Sequence, residues 1–406
     1  MHMTVQQQTK HSRLKVIVGT LAVLLLLIII AAGTLISLWH NEIATIGSIQ
    51  LLRDRYDLNG EGAVYTMKVS GGFYLDDFVA QGGVSCDQQL VDFIVAHFTK
   101  GLFDLEITTP EAGCSSFTAK TTAGDYLFGR NYDSDMTNVC IVFTEASPGR
   151  HATISSVDLK YLGIDPGKNM DNLREKLRCI AATYAPLDGM NDAGVACAIY
   201  ISGQAKVPTD QQTGKPDFTP TTLIRLILDY ADDLEEAIAI ASAYDMHDSA
   251  GTTCHYMVAD ASGRSAILEW IGESNSTDLD GTQRRLSITY CDSDADVGSM
   301  EAKYDSQVIT NFIVRKDYYS DTNIPDDALA RYAKMWEVLE KTDCILTDEQ
   351  AAMDILEAVG VRNWAGRLEG TPYSIVFNLT ERTMHWVPNE NFSLPSAEYV
   401  FRFGAE

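Results

Sequence analysis

The strongest constraint on this chain is a short stretch that reads as a single β-hairpin. Residues 116–121 and 126–131 are strand-like and flank a turn at Ala123-Gly124-Asp125. Antiparallel strands joined this way bring the residues at their open end side by side. Cys114 begins the first strand and Arg130 ends the second, so the spacing predicts that the Cys114 thiol, the Arg130 guanidinium and the Asp133 carboxylate come together. A mid-chain cysteine needs a neighbouring base to become a nucleophile, and none lies nearby in sequence. Cleavage of the Gly113–Cys114 bond would supply one, because the freed α-amino group titrates near ~8. One residue would then hold both thiol and base.

Further motifs follow in order. They are Asp188-Gly189-Met190-Asn191-Asp192-Ala193-Gly194-Val195, then Thr252-Thr253-Cys254-His255-Tyr256-Met257-Val258-Ala259-Asp260, then Val308-Ile309-Thr310-Asn311, then Ala330-Arg331-Tyr332. With Cys114, Arg130 and Asp133 they resemble the choloylglycine hydrolase family of linear amide C–N hydrolases. That family includes bile salt hydrolases and penicillin V acylases, with N-acylethanolamine acid amidase and acid ceramidase as relatives. The resemblance runs from residue 114 to the end. The first 113 residues have no counterpart in the short-leader bile salt enzymes.

The resemblance implies an α+β fold, a four-layer αββα sandwich of two antiparallel sheets (the N-terminal nucleophile hydrolase fold). It also implies self-cleavage at Gly113–Cys114 and amide hydrolysis through an acyl-enzyme on Cys114. On the matching positions Arg130 would favour the thiolate and Asp133 would hold the α-ammonium. Asn311 would donate to the oxyanion, and Arg331 would add positive charge. One departure stands out. Where the bile salt and penicillin V enzymes close a strand with asparagine, this chain has Tyr200 or Ile201, which would line the substrate site. That change and the long leader lean towards fatty-acyl amides such as N-acylethanolamines or N-acyl amino acids. A conjugated bile salt hydrolase, a penicillin V acylase and an acyltransferase are the enzymatic alternatives. An unprocessed acyl-amide binding protein is the alternative outside catalysis.

Composition narrows the partners. The formal charge is −25, and residues 1–41 carry three basic groups and no acidic ones, so the rest holds 28 basic against 56 acidic groups. Such a surface repels nucleic acid and anionic membranes. The eight cysteines include no Cys-x-x-Cys pair, so no zinc or dithiol centre is expected, and several sit in apolar runs as buried thiols. Asp292-Ser293-Asp294-Ala295-Asp296 begins like a calcium loop, but Val297 replaces the required glycine and Lys303 the bidentate glutamate. Asn275, Asn378 and Asn391 lie in Asn-x-Ser/Thr sequons, which matter only in a eukaryotic secretory route. No cofactor and no metal are implied. The expected partner is a small-molecule N-acyl amide, with homo-oligomerisation left open.

The amino terminus reads separately. Residues 16–39 form an apolar run, longer than the ~20 residues that cross a bilayer core. Lys10, Arg13 and Lys15 precede it, so a signal anchor would leave residues 1–15 in the cytoplasm and the remainder outside. A cleaved signal peptide, giving a secreted protein, is the alternative. Residues 40–113 read as a pro-segment with an amphipathic helix at 87–100, and 114–406 as the hydrolase domain. Further helices are expected at 223–243, 326–342 and 347–359, and late strands at 373–378, 384–387 and 398–403.

Overall fold

A computed structural model describes residues 2–404 except 102–104, 106, 109–111, 203–206, 276, 279–280, 292–304, 320–323 and 368–369. The EF-hand-like run and Lys303 fall outside the described residues. Two large sheets face each other. In spatial order the nine-stranded sheet runs Gln50–Arg53, Val64–Val69, Val139–Thr144, Thr153–Asp158, Asp188–Asn191, Ala196–Ile201, Cys254–Ala259, Ser265–Ile271 and Arg285–Tyr290. The seven-stranded sheet runs Val308–Ile309, Ala112–Thr121, Tyr126–Ser134, Tyr373–Asn378, Thr383–Pro388 and Tyr399–Arg402, with Ile345–Leu346 also pairing on Ala112–Thr121.

Helices cover the outer faces. Pro220–Tyr230 and Leu234–Ala243 pack on the nine-stranded sheet. The expected 223–243 segment divides because Asp233 caps a new helix, its side chain accepting from Glu236 N. Asp326–Glu340 and Glu349–Val359 pack on the seven-stranded sheet. The layers are therefore helix, sheet, sheet, helix. The sheets are not purely antiparallel as expected: Val64–Val69 runs parallel to Val139–Thr144, and Ile345–Leu346 parallel to Ala112–Thr121. Each of these partners arrives by a long crossover, which a tight hairpin does not require.

The predicted hairpin forms, with longer arms. Ala112–Thr121 pairs with Tyr126–Ser134, placing Cys114 opposite Tyr132 and Ser116 opposite Arg130. Side chains alternate between faces of a strand. Cys114, Ser116, Arg130 and Tyr132 point between the sheets, where Tyr200 of the facing sheet donates from its hydroxyl to Ser116 Oγ at 2.6 Å. Asn131 points the other way, its amide reaching the Leu356 carbonyl on the covering helix.

Residues 40–98 are woven into this framework. Their strands Gln50–Arg53 and Val64–Val69 extend the nine-stranded sheet. The amphipathic helix spans Asp87–Phe98 and buries Leu90, Phe93, Ile94 and Phe98. Phe78 and Phe93 pack around Tyr184 with ring centroids 5.4 and 5.5 Å away, joining this segment to strands from beyond residue 138 in one apolar cluster. The helix His2–Leu38 contains one stretch, Lys15–Leu38, long and apolar enough to cross a membrane, and that stretch buries nothing against the rest of the chain.

Gly62 sits where this weave is tightest. Ala63 N donates to Asn138 Oδ1 and its carbonyl accepts from Val139 N, both at 2.9 Å. A Cβ at Gly62 would lie 1.7 Å from the Thr137 carbonyl oxygen. Gly62→Ala should therefore cost about 1–3 kcal/mol or more, as overpacking against rigid backbone does. Urea unfolding of the whole chain measures it. An unchanged midpoint would mean that residues 50–69 do not pair as described.

Candidate active site

Cys114 lies near the start of its strand and is 2 % exposed to solvent. Arg130 reaches across the hairpin, its Nη2 3.6 Å from Cys114 Sγ. That guanidinium is wholly buried and bridges the two sheets: Nε donates to Asp188 Oδ2 at 2.7 Å and Nη1 to the Ile199 carbonyl at 2.9 Å. Tyr373 donates to the same Asp188 oxygen at 2.7 Å. The ring of Tyr200 faces the guanidinium at 4.9 Å. Burial opposes the Arg130 charge, and the Asp188 carboxylate beside it works to hold the group protonated. Burial pushes the Asp188 carboxyl up, and Arg130 and the Tyr373 hydroxyl pull it back.

Asp133 does not join the thiol as the hairpin spacing suggested. It is three residues from Arg130, so its side chain leaves from the opposite face of the strand. There it accepts from Thr371 Oγ1 at 2.7 Å and lies 3.5 Å from Arg331 Nη1. It is the register partner of Gly113, and a Cβ on Gly113 would meet Asp133 Cβ at 3.3 Å. The carboxylate therefore flanks the Gly113–Cys114 peptide rather than the sulfur. Burial raises its pKa, with Arg331 and Thr371 opposing.

Asn311 and Arg331 converge on the backbone of Cys114. Cys114 N donates to Asn311 Oδ1 at 2.9 Å, and Arg331 Nη2 donates to the same oxygen at 3.0 Å. Asn311 Nδ2 donates to the Ile201 carbonyl at 2.9 Å. These partners fix the amide orientation, because two of them only donate and the third only accepts. Arg331 Nη1 donates to the Cys114 carbonyl at 2.8 Å. Its helix, Asp326–Glu340, also supplies Asp327, whose carboxylate takes Arg331 Nε at 3.0 Å.

Burial pushes the Cys114 thiol up to about 11; Arg130 pulls it down, Asp133 pushes it up, Arg331 pulls it down and Asp188 pushes it up. In the uncut chain the sulfur is thus a neutral thiol at physiological pH. It opens into a narrow cleft whose interior volume is about 70 Å³. The walls are mainly apolar: Leu90 and Ile94 from the amino-terminal helix, with Ile107, Leu162, Ile199 and Pro220. Tyr200 and Ile201 both line it. Among the described residues no group of three or more His, Cys, Asp or Glu side chains is arranged to hold a metal.

Asp188, Tyr373 and Thr371 are neighbours of these groups that the sequence did not single out. Asp188 opens the Asp188-Gly189-Met190-Asn191 motif, which was the available signal. Tyr373 and Thr371 carried none, since only the pairing of Tyr373–Asn378 with Tyr126–Ser134 brings them near.

Arg130→Gln should leave Asp188 charged and unpaired in the interior, costing about 3–5 kcal/mol. Adding Asp188→Asn should recover much of that loss, because no lone charge then remains. Urea unfolding of both variants checks this, and equal stability of the single and double variants would contradict the pairing.

Residues 114–276 match the family of linear amide C–N hydrolases, choloylglycine hydrolase family. The bile salt hydrolase/transferase of Clostridium perfringens (strain 13 / Type A) is 26% identical over 167 residues, 38% of this chain and 47% of that protein. The chain thus spans about half the length of that curated relative. A mutant of the conjugated bile acid hydrolase from Clostridium perfringens superposes with a TM-score of 0.45 at 16% identity, covering 72% of this chain and 93% of that one. Penicillin V acylase from Agrobacterium tumefaciens gives 0.41 at 17% identity, covering 68% and 83%.

Proposed function

We propose that this chain, whose residues 114–276 match the choloylglycine hydrolase family, is a self-processing cysteine amidase acting on N-acylated small molecules with long apolar acyl chains. The observation that carries the reading is Cys114 itself: a buried thiol beside the Arg130 guanidinium, its backbone carbonyl held by Arg331, opening into a mainly apolar cleft.

The first step is its own cleavage. Cys114 Sγ attacks the Gly113 carbonyl carbon, and the thiol proton passes to the Cys114 nitrogen as the peptide C–N bond breaks. The resulting thioester is hydrolysed by water, releasing the Gly113 carboxylate, the thiol and a free α-amine. Asn311 Oδ1 already accepts from that nitrogen. Asp133 flanks it from the outer face, which supports a pairing of its carboxylate with the α-ammonium.

The α-amine is then the base that the uncut thiol lacks. It takes the thiol proton, and the thiolate, favoured by Arg130, attacks the substrate amide carbonyl. Asn311 Nδ2 has a second N–H beyond the one given to Ile201, and this is the oxyanion donor. The α-ammonium protonates the leaving amine, and the acyl group stays on sulfur as a thioester. Water, deprotonated by the same amine, releases the acid and restores the thiol.

The cleft and its place in the chain support the substrate class. Leu90 and Ile94 wall the cleft, and the same helix ends at Phe98, whose carbonyl accepts from Trp39 Nε1 at 3.2 Å. Trp39 directly follows the apolar helix, so an anchored protein would hold this wall near the bilayer surface, where lipid amides concentrate. Lys10, Arg13 and Lys15, at the amino-terminal end of the apolar stretch, favour an extracytoplasmic catalytic part.

Intact mass is the first test. The wild-type protein should yield a chain beginning at Cys114, and Cys114→Ala should stay whole; a variant still cut at that bond would rule out self-cleavage. The second is a homologous series of N-acylethanolamines against glycocholate. Each buried methylene contributes ~0.8 kcal/mol, so kcat/KM should climb steeply with chain length until the cleft ends. Ile94→Trp should shorten the best chain by a few carbons. Flat dependence on length, or faster cleavage of glycocholate, would restore the bile salt alternative.

A further inference from the structure

Two buried groups outside the active site hold the loop that carries Asn311. His255 and Glu269 face each other on neighbouring strands of the nine-stranded sheet, and both side chains are wholly buried. His255 Nδ1 lies 3.0 Å from Glu269 Oε1, and its Nε2 lies 2.9 Å from the Thr310 carbonyl. Both neighbours present an oxygen to the ring, so its two nitrogens are each engaged. Glu269 also serves the loop directly. Val314 N donates to its Oε1 at 2.9 Å and Arg315 N to its Oε2 at 3.1 Å.

The pair is continuous with the catalytic groups on both sides. Tyr200 is the register partner of His255 on the next strand, with ring centroids 5.7 Å apart, and its ring faces Arg130. On the far side, Thr310 Oγ1 donates to the Ala328 carbonyl at 2.8 Å, on the helix that carries Arg331. One row of side chains, Tyr200, His255 and Glu269, thus runs from Arg130 to the Asn311 loop. A polar pair in an apolar interior seldom adds stability over well-packed apolar residues. Here three of its hydrogen bonds go to backbone groups of residues 310–315.

We propose that His255 and Glu269 are positioning residues for the amidase site, fixing residues 310–315 so that the Asn311 amide spans Cys114 N and the Ile201 carbonyl. Neither residue lines the cleft or touches the sulfur. The inference rests on the amidase reading for its kinetic consequence, but the holding of the loop is measurable without it.

The test uses His255→Gln and Glu269→Gln in the full chain, each alone and combined with Asn311→Ala. Each single variant should lower kcat about tenfold on the best N-acylethanolamine, with KM within about twofold, as loss of a transition-state contact does. Combined with Asn311→Ala, neither should slow the enzyme further, since coupled residues are not additive. Hydrogen exchange should quicken in peptides covering 310–315 and stay unchanged in the strand Ala112–Thr121. Multiplying losses in the double variants, or unchanged exchange in 310–315, overturns the proposal. So does a uniform rise in exchange with a lowered Tm in both single variants, which marks a purely structural pair. A wild-type protein that cleaves no N-acyl amide sinks the amidase reading, while the exchange result still decides the positioning.

Discussion

The site is built around the buried pair of Arg130 and Asp188. It joins the strand Tyr126–Ser134 of one sheet to the strand Asp188–Asn191 of the other, with both side chains fully enclosed. A guanidinium in such a place needs its donors satisfied, and Asp188, the Ile199 carbonyl and the Cys114 sulfur take them. The planar fork makes these contacts at fixed angles, which lysine would not reproduce. Because the pair sets the spacing of the sheets at this point, it also sets where the cysteine sits relative to the cleft. The positive charge that favours thiolate is therefore part of the packing between layers.

The amino-terminal segment likewise serves packing and site together. Its strands complete a sheet, its phenylalanines build an apolar cluster around Tyr184, and its helix supplies part of the cleft wall. A cut at Gly113–Cys114 would break one bond within a strand that remains paired along its length with Tyr126–Ser134. Two polypeptides would then share one fold. The wall at Leu90 and Ile94 would stay in place for as long as the sheet and cluster hold it.

Much of the local structure was legible because it depends on near neighbours in the chain. The turn at residues 123–125 and the flanking alternation placed the hairpin, and helical periodicity placed Asp87–Phe98, Asp326–Glu340 and Glu349–Val359. Hairpin spacing alone misplaces Asp133, since an odd offset from Arg130 sends its side chain to the other face. Asp188 was visible as part of a motif but not as the partner of Arg130, because 58 residues separate them. The parallel entry of Val64–Val69 had no local signal, since strand direction is set by the crossover that precedes the pairing.

Residue type and short-range periodicity laid out the chemistry on offer: a cysteine after a glycine, an arginine and an aspartate at hairpin spacing, and an apolar amino-terminal run. Reading these needs no knowledge of the fold. Which groups meet was settled by packing between distant segments. That packing turned Asp133 away from the sulfur, set Asn311 and Arg331 on the Cys114 backbone, and made residues 50–98 part of the sandwich. Such contacts form when two sheets bury their apolar faces against each other, and no local pattern records them.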